Sequence, residues 1–529
     1  MRTTVALFVL CACLRGVAVQ PAALSDDEAI YAVVAREMLA GRVLYRDIID
    51  HKPPLIYATY AATQAVGGPQ GGMVLVHLLT LLVVFATGLA LRRLVRRHAD
   101  VDDDTATMAA VLWLVFTTTM IDFDSLAANC ELFMVLPLVV SVDRYLSGQR
   151  LLAGILVGVA TLYKYQAAIH LPLYALHLAW TQRAAWRVVL SGWIAIAIGF
   201  AGVLALAVLA LWAGGALPAA LFWFKFNFAY IQSGMAPLEV LSRAIVRISI
   251  VVGGAALLYA LGVAGAVRAL LPARVASTAG TAARAFQRFA CAWLVASALA
   301  VCVGGRFYGH YFHQVTPVLA LLAAPGALAL YRRHRAVATT ALAVPAVAFV
   351  LVAALHTRVM AMIGQPDLDY GRMAAAIRAT SAPGDGLCIW GNLPVLYFVA
   401  ERPLGCRFAF ANYLTGMSPA TNTQYDPTVD ASMNIVPEAW TMLEEDFATR
   451  KPRVVVDSSY SDVGNYGKFP VAKFPRLDVI LRRDYHEVAV VEGVRLLVRN
   501  ASSAGANRSA ADRQVASPRI EAPPNDRMP

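Results

Sequence analysis

The residues best suited to chemistry fall in two stretches of the chain. One opens with Ser25-Asp26-Asp27-Glu28 and Tyr31, and continues through Tyr45, Asp47, Asp50 and His51-Lys52-Pro53-Pro54. The other is Arg306-Phe-Tyr308-Gly-His310-Tyr311-Phe-His313-Gln314. A carboxylate can take a proton from a hydroxyl, and a fixed lysine can hold a phosphate as a point charge. The two prolines keep Lys52 out of any helix and force an extended approach. Plainer readings stay open beside these. Ser25 can cap a helix from Asp26 to about Ala40 whose first-turn acids simply suit the helix dipole. Lys52 can be incidental to a proline turn. Asp122, Asp124 and Glu131 form a second acid set, which loop solvation or helix capping also explains. His310 and His313 are spaced to share a helix face. A metal would need a third partner that the sequence does not identify, so orienting polar groups is the simpler role.

The elements that must position these groups follow from composition. Of 529 residues, 59% are hydrophobic and 15% charged, with a mean hydropathy of +0.59. Soluble domains run about 45–50% apolar and about 25% charged. That excess excludes an ordinary soluble enzyme and a disordered chain, and leaves a polytopic α-helical membrane protein. About eleven apolar runs are long enough to be spans, at 3–20, 71–91, 106–121, 131–146, 151–164, 167–181, 188–212, 246–267, 290–305, 314–331 and 338–357. The fifth and sixth are short and read as a bent pair. The first reads as a retained helix, with a cleaved signal peptide as the alternative.

Arginines set the orientation. Groups at Arg92–Arg97, Arg144–Arg150, Arg183–Arg187, Arg268–Arg288 and Arg332–Arg335 follow even-numbered spans, which makes that side cytoplasmic. Arg243 and Arg247 fall on the opposite side, against the rule. The net charge of +11 therefore reports orientation before it suggests nucleic acid. The segment 26–40 carries Ile30, Val33, Val34 and Met38 at helical spacing, so it is expected to lie along the membrane surface, with its acids at the level of a lipid phosphate. Only six lysines occur, and Lys52, Lys164 and Lys225 all map to the outer face. That sidedness points to an anionic ligand there.

The organisation expected is a membrane domain over 1–360 with a first external loop at about 21–70. A small extracytoplasmic α/β domain over 361–500 and a disordered tail over 501–529 follow it. Helices near 369–379 and 437–449 alternate with strands at 387–390, 453–457, 487–491 and 494–498. Cys388 and Cys406 lie in that domain, either as a disulfide or as two buried thiols.

Asp27-Glu28-Ala-Ile-Tyr31-Ala32, then Arg36-Glu37-Met38-Leu39, then Lys52-Pro53-Pro54, resembles the first external loop of GT-C glycosyltransferases. The resemblance is closest to the bacterial group of lipid A aminoarabinose transferases and protein O-mannosyltransferase relatives. The run Arg306–Pro317 resembles a later motif of bacterial members. The resemblance implies a polyprenyl-phosphate sugar donor, an extracytoplasmic lipid, glycan or protein acceptor, and an inner-membrane location with the C-terminal domain periplasmic. It also implies inverting transfer with Asp27 as base and Lys52 on the donor phosphate. Glu28, His51, Asp122, Asp124, Lys225, Arg306, Tyr308, His310 and Gln314 are expected to contact substrate. Two departures matter: His51 stands where the aminoarabinose transferases have Glu, and Phe222–Tyr230, with Lys225, stands where they carry His and Arg. No metal ligands are therefore assigned, and a divalent cation is left open as a cofactor. A transporter or lipid-linked glycan flippase is the alternative, but it would place charges at mid-span and show repeated halves.

Overall fold

The computed structural model describes residues 1–119, 125–232, 235–271, 280–356, 368–417 and 430–501. It is a helical bundle capped at one end by a small α/β domain. Each expected span overlaps helix within the described residues. The bundle comprises α1 (Arg2–Arg15), α3 (Leu55–His98), α4 (Asp103–Phe116), α5 (Cys130–Leu146), α6 (Arg150–Tyr163), α7 (His170–Thr181) and α8 (Trp186–Ala213), with α2 described below. Short α9 (Leu217–Phe224) and α10 (Phe226–Gln232) lead to α11 (Pro237–Gly254), α12 (Ala256–Leu270), α13 (Thr281–Cys302), α14 (Thr316–Arg333) and α15 (Arg335–Ala354). By length and composition, four helices among the described residues can cross a bilayer alone, or five if one bent pair counts as a span. The helices α1, α4, α5, α6, α7 and α14 have 12 to 18 residues. At about 1.5 Å per residue most of these fall short of a core about 30 Å thick.

Two breaks depart from a simple row of spans. The expected span 246–267 is the bent pair α11 and α12, which meet at 99°. Arg243 and Arg247 therefore sit on a helix steeply inclined to its successor, and Arg243 pairs with Glu239 at 3.2 Å. In α3 the chain folds back at Gly68, whose φ of 67° only glycine adopts readily. A side chain at Gly72 would strike the Gln64 backbone at 2.7 Å, so residues 55–67 form a separate short helix packed against the start of the next. The arginine turns gather at one end. Asp143 receives Arg97 at 3.1 Å and His98 at 3.2 Å, and Arg332 pairs with Asp102 and Asp104 at 2.8 Å. Helices α5 and α6 each have one end there and the other end at Cys130 and Tyr163.

The first loop differs from its expectation. Ser25 caps α2 (Asp26–Leu39) by accepting from the Glu28 amide at 3.2 Å, and Gly41 ends it at φ +88°, as the sequence indicates. The helix does not lie along an exposed surface. Every residue from Ala29 to Ala35 is buried, because a second layer covers the helix on the side that α3 leaves open. That layer is the C-terminal domain. Its sheet has the order β1-β2-β4-β3, with β1 (Leu387–Trp390) parallel to β2 (Val454–Asp457), and β4 (Val494–Arg499) antiparallel to both β2 and β3 (Tyr485–Val491). The expected strands and the helices α16 (Tyr370–Ala379) and α19 (Pro437–Thr449) are present. Sequence reading missed α17 (Pro394–Ala400), which packs on α2, as well as α18 (Asn412–Thr415) and α20 (Pro475–Asp484). Cys388 and Cys406 are free, buried thiols.

Polar bonds fasten the two layers. Arg36 donates to the Arg402 carbonyl at 2.6 Å, Arg42 to the Leu404 carbonyl at 2.8 Å, and the Ile49 amide to the Arg407 carbonyl at 2.8 Å. Buried Glu37 accepts from the Leu404 amide at 3.1 Å and pairs with Arg42 at 2.9 Å. Glu37→Ala leaves that amide unmatched and takes the carboxylate from Arg42, which keeps the Leu404 carbonyl, at a cost of about 1–3 kcal/mol. The expected outcome is a lower thermal midpoint in detergent and faster limited proteolysis within residues 368–501. Unchanged values for both would show that the layers are held by apolar packing alone.

Candidate active site

Where the first loop, the bundle and the C-terminal domain meet, a cavity of about 790 Å³ opens. Asp27 faces it from the first turn of α2, and Tyr31 stands one turn on, as i,i+4 spacing requires. Lys52 reaches across from a bend before Pro53-Pro54, outside any helix as the prolines require but not extended as expected. Its Nζ lies 2.7 Å from Asp27 Oδ1 and 3.0 Å from Tyr31 Oη, and 4.6 Å from the centre of the Tyr31 ring. Tyr31 Oη donates to Asp27 Oδ2 at 3.4 Å while accepting from Lys52 and from Cys130 Sγ at 3.4 Å. Its one proton and two lone pairs are thereby all used. Backbone strain helps to hold the lysine. Tyr45 sits at φ 69°, unusual for a bulky residue, with its ring buried and its hydroxyl on the Lys52 carbonyl at 2.6 Å.

Charge sets the protonation states. Burial, the largest influence on Asp27, opposes its ionisation, but Lys52, His310 and Lys164 together outweigh it and hold the carboxyl at about 2. Lys52 moves up from its ordinary value: burial works against the ammonium, and Asp27 and Asp50 overcome it. His51 moves down, because burial disfavours its cation more than Asp50 supports it. All three groups are thus settled at neutral pH, with Asp27 an anion, Lys52 a cation and His51 neutral.

The opposite wall holds a second ion pair. Lys164 lies in the break between α6 and α7, with extended backbone. It bonds Glu131 and stands 3.9 Å from the centre of the Tyr311 ring. His310 Nε2 is 3.7 Å from the same carboxylate and stacks on Tyr308. Arg306, Tyr308 and His310 all line the cavity, aimed there by Gly304 and Gly305 at φ +79° and +64°. His51 lines it too, with its Nδ1 on Tyr413 Oη at 2.7 Å and its carbonyl accepting from Asn227 at 3.0 Å.

Other sequence candidates stand elsewhere. Glu28, adjacent to Asp27, is turned away from the cavity and fully buried. It accepts from the Leu24 amide at 2.6 Å, from His77 Nε2 at 3.1 Å and from the Ala128 amide. Lys225 lies off the cavity, 3.7 Å over the Phe222 ring. Gln314 is buried in its own turn, bonding the Tyr311 carbonyl at 3.1 Å. Asp122 and Asp124 lie outside the described residues. His310 and His313 do not converge, since His313 Nδ1 pairs with Thr117 at 2.9 Å. Among the described residues, no three His, Cys, Asp or Glu side chains gather as a metal site. Sequence ranking gave no site role to Lys164, Asn227 or the C-terminal residues on the cavity; the sidedness of the lysines alone pointed to Lys164, and Asp50 stood in the first stretch without a role.

Glu28→Ala strips partners from two buried amides and an imidazole, each worth about 1–3 kcal/mol. A fall of several degrees in the thermal midpoint is expected, with Glu28→Gln intermediate because its carboxamide still accepts. Equal midpoints for Glu28→Ala and the parent would contradict the bracing role.

No family model matches the chain, and no curated protein is significantly similar to it. Solved structures do match. ArnT from Cupriavidus metallidurans, bound to undecaprenyl phosphate, superposes with a TM-score of 0.61 at 14% identity, over 94% of this chain and 98% of that one. The archaeal oligosaccharyltransferase AglB from Archaeoglobus fulgidus, in complex with an inhibitory peptide and a dolichol-phosphate, superposes with a TM-score of 0.51 at 14% identity, over 94% of this chain and 74% of that one. At such identities the likeness speaks for the fold alone, which this chain shares with both structures.

Proposed function

We propose that the protein is a membrane glycosyltransferase. It moves a sugar from a polyprenyl-phosphate donor to an acceptor hydroxyl on the side of the bilayer away from the arginine turns. The observation that carries this reading is the Asp27–Lys52 pair, 2.7 Å apart in the wall of the cavity. A GT-C fold whose solved examples hold undecaprenyl phosphate and a dolichol-phosphate supports the lipid-phosphate donor.

In a single displacement the acceptor oxygen attacks the anomeric carbon as the bond to the phosphate oxygen breaks, so the centre inverts. Asp27 takes the hydroxyl proton, and Lys52 and Arg306 stabilise the departing phosphate. Tyr31 keeps the carboxylate and ammonium in register. As a lone ion pair Asp27 is a weak base. A donor phosphate that draws Lys52 to itself removes the main attraction holding the carboxyl down, so the base strengthens when the donor is in place.

Asp27→Asn is expected to keep the fold and donor binding and to lose transfer by about 10²-fold or more. Lys52→Ala is expected to weaken binding of the lipid phosphate. Full transfer by purified Asp27→Asn protein would sink the assignment of the base. A pH profile gives an independent check. With Asp27 held at about 2 in the protein without donor, protonation of this group leaves the parent kcat/KM unaffected down to strongly acidic pH. In Lys52→Ala the main attraction that lowers the carboxyl is lost, the carboxyl rises, and the acid limb of residual kcat/KM moves to higher pH. Comparing envelope lipids and glycans of a deletion strain by mass spectrometry would identify the sugar and the acceptor.

A further inference from the structure

We propose that Asn392 and Asn412, at the carboxyl edge of the small sheet, bind ring hydroxyls of the sugar carried by the donor. The proposal rests on the glycosyltransferase reading and adds to it a sugar-reading role for the C-terminal domain.

The placement follows from the strands. β1 and β2 run parallel and end at Trp390 and Asp457. Open α/β sheets present ligands at the carboxyl ends of parallel strands. The next residue, Gly391, passes so close to β2's continuation that a Cβ there would lie 2.1 Å from Ser458 Oγ. Its carbonyl accepts from the Ala411 amide at 2.9 Å, which lays the two segments side by side. Asn392 and Asn412, each one residue further on, therefore emerge together, and both line the cavity.

Their chemistry suits a polyol. A carboxamide offers two donors and an acceptor, which matches hydroxyls that both give and receive. Tyr466 Oη donates to Asn412 Oδ1 at 2.8 Å, which fixes that amide and leaves its Nδ2 as the donor end. The Asn392 carboxamide makes no hydrogen bond within the described residues, although it is only half-exposed. Phe410 lines the same wall and supplies an apolar face for the C–H side of a ring. The wall also adjoins the reacting groups: Tyr413, next to Asn412, bonds His51 at 2.7 Å, and His51 precedes Lys52. A sugar joined directly to a phosphate on Lys52 is held within reach of both amides.

The test uses the full-length protein in detergent and measures affinity for the methyl ester of undecaprenyl phosphate, a bare phosphodiester with the same single charge as the sugar-bearing lipid. The same lipid carrying glucose, mannose or 4-amino-4-deoxyarabinose in place of the methyl group is measured beside it. The parent protein should bind at least one glycosylated lipid about tenfold tighter than the bare one, the gain expected of two extra hydrogen bonds. Asn392→Ala/Asn412→Ala should abolish that gain and leave affinity for the bare lipid within about twofold, which also shows that the variant is folded. Persistence of the gain in the double variant overturns the subsite, as does equal loss for bare and glycosylated lipid, or a parent protein indifferent to every sugar. A parent that binds no undecaprenyl lipid at all overturns the glycosyltransferase reading as well, an outcome separable from the others because it appears before any substitution is made.

Discussion

An ammonium and a carboxylate 2.7 Å apart in a cavity wall attract strongly only while water is kept from both and neither backbone can drift. Asp27 and Lys52 come from different kinds of local structure, a capped helix start and a bend before two prolines, so their meeting must be imposed by what surrounds them. Tyr31 ties the two heads together. Tyr45, held in a costly left-handed conformation, ties the lysine backbone to the loop. Glu28 ties the helix start to the second loop through the Ala128 amide and to α3 through His77. Arg15, buried at the end of α1, fixes the same second loop through the Ser125 and Leu126 carbonyls at 3.1 and 2.7 Å. The adjacent acids thus divide the work: one faces the cavity, and its neighbour braces the helix that carries it.

The C-terminal domain belongs to this arrangement. One continuous apolar core runs from α2 and the start of α3 through Trp223 into the sheet. Separating the domain would uncover the side of α2 that α17 packs on and free the Asp27 helix to move. A cavity lined on one side by bundle residues and on the other by Asn392, Phe410 and Asn412 exists only while that core is intact.

Much of this was legible in the sequence because it rests on local rules. Ser25 and Gly41 mark the ends of α2, the double proline keeps the lysine out of a helix, and the short spans flanking Lys164 mark a broken helix pair. What escaped depends on tertiary contact. The apolar stripe of α2 was visible, but the second layer that covers the helix comes from residues more than 300 positions away and leaves no local pattern in the helix itself. Glu28 and Asp27 are equivalent as residue types, and only the position of His77 and the Ala128 amide separates them. Asn392 and Asn412 carry no signal at all, because a single hydrogen bond between Gly391 and Ala411 brings them together.

On the proposed reading, the ion pair also explains how charge can move through a partly desolvated site without penalty. A sugar phosphodiester carries one negative charge, and the lipid phosphate it leaves behind gains another. In the same displacement Asp27 gives up its charge by taking the acceptor proton. Net charge in the cavity is therefore unchanged from reactant to product, and what shifts is its location, from the carboxylate to the phosphate. Lys52 can serve both partners with little motion, because the carboxylate loses its claim on the ammonium as the phosphate acquires one. A fixed cation between two anions that exchange a single charge needs no reorganisation of solvent, which is the condition under which electrostatic stabilisation is most effective. Replacing Lys52 with a neutral residue would remove that shared counter-charge from both ends of the reaction at once.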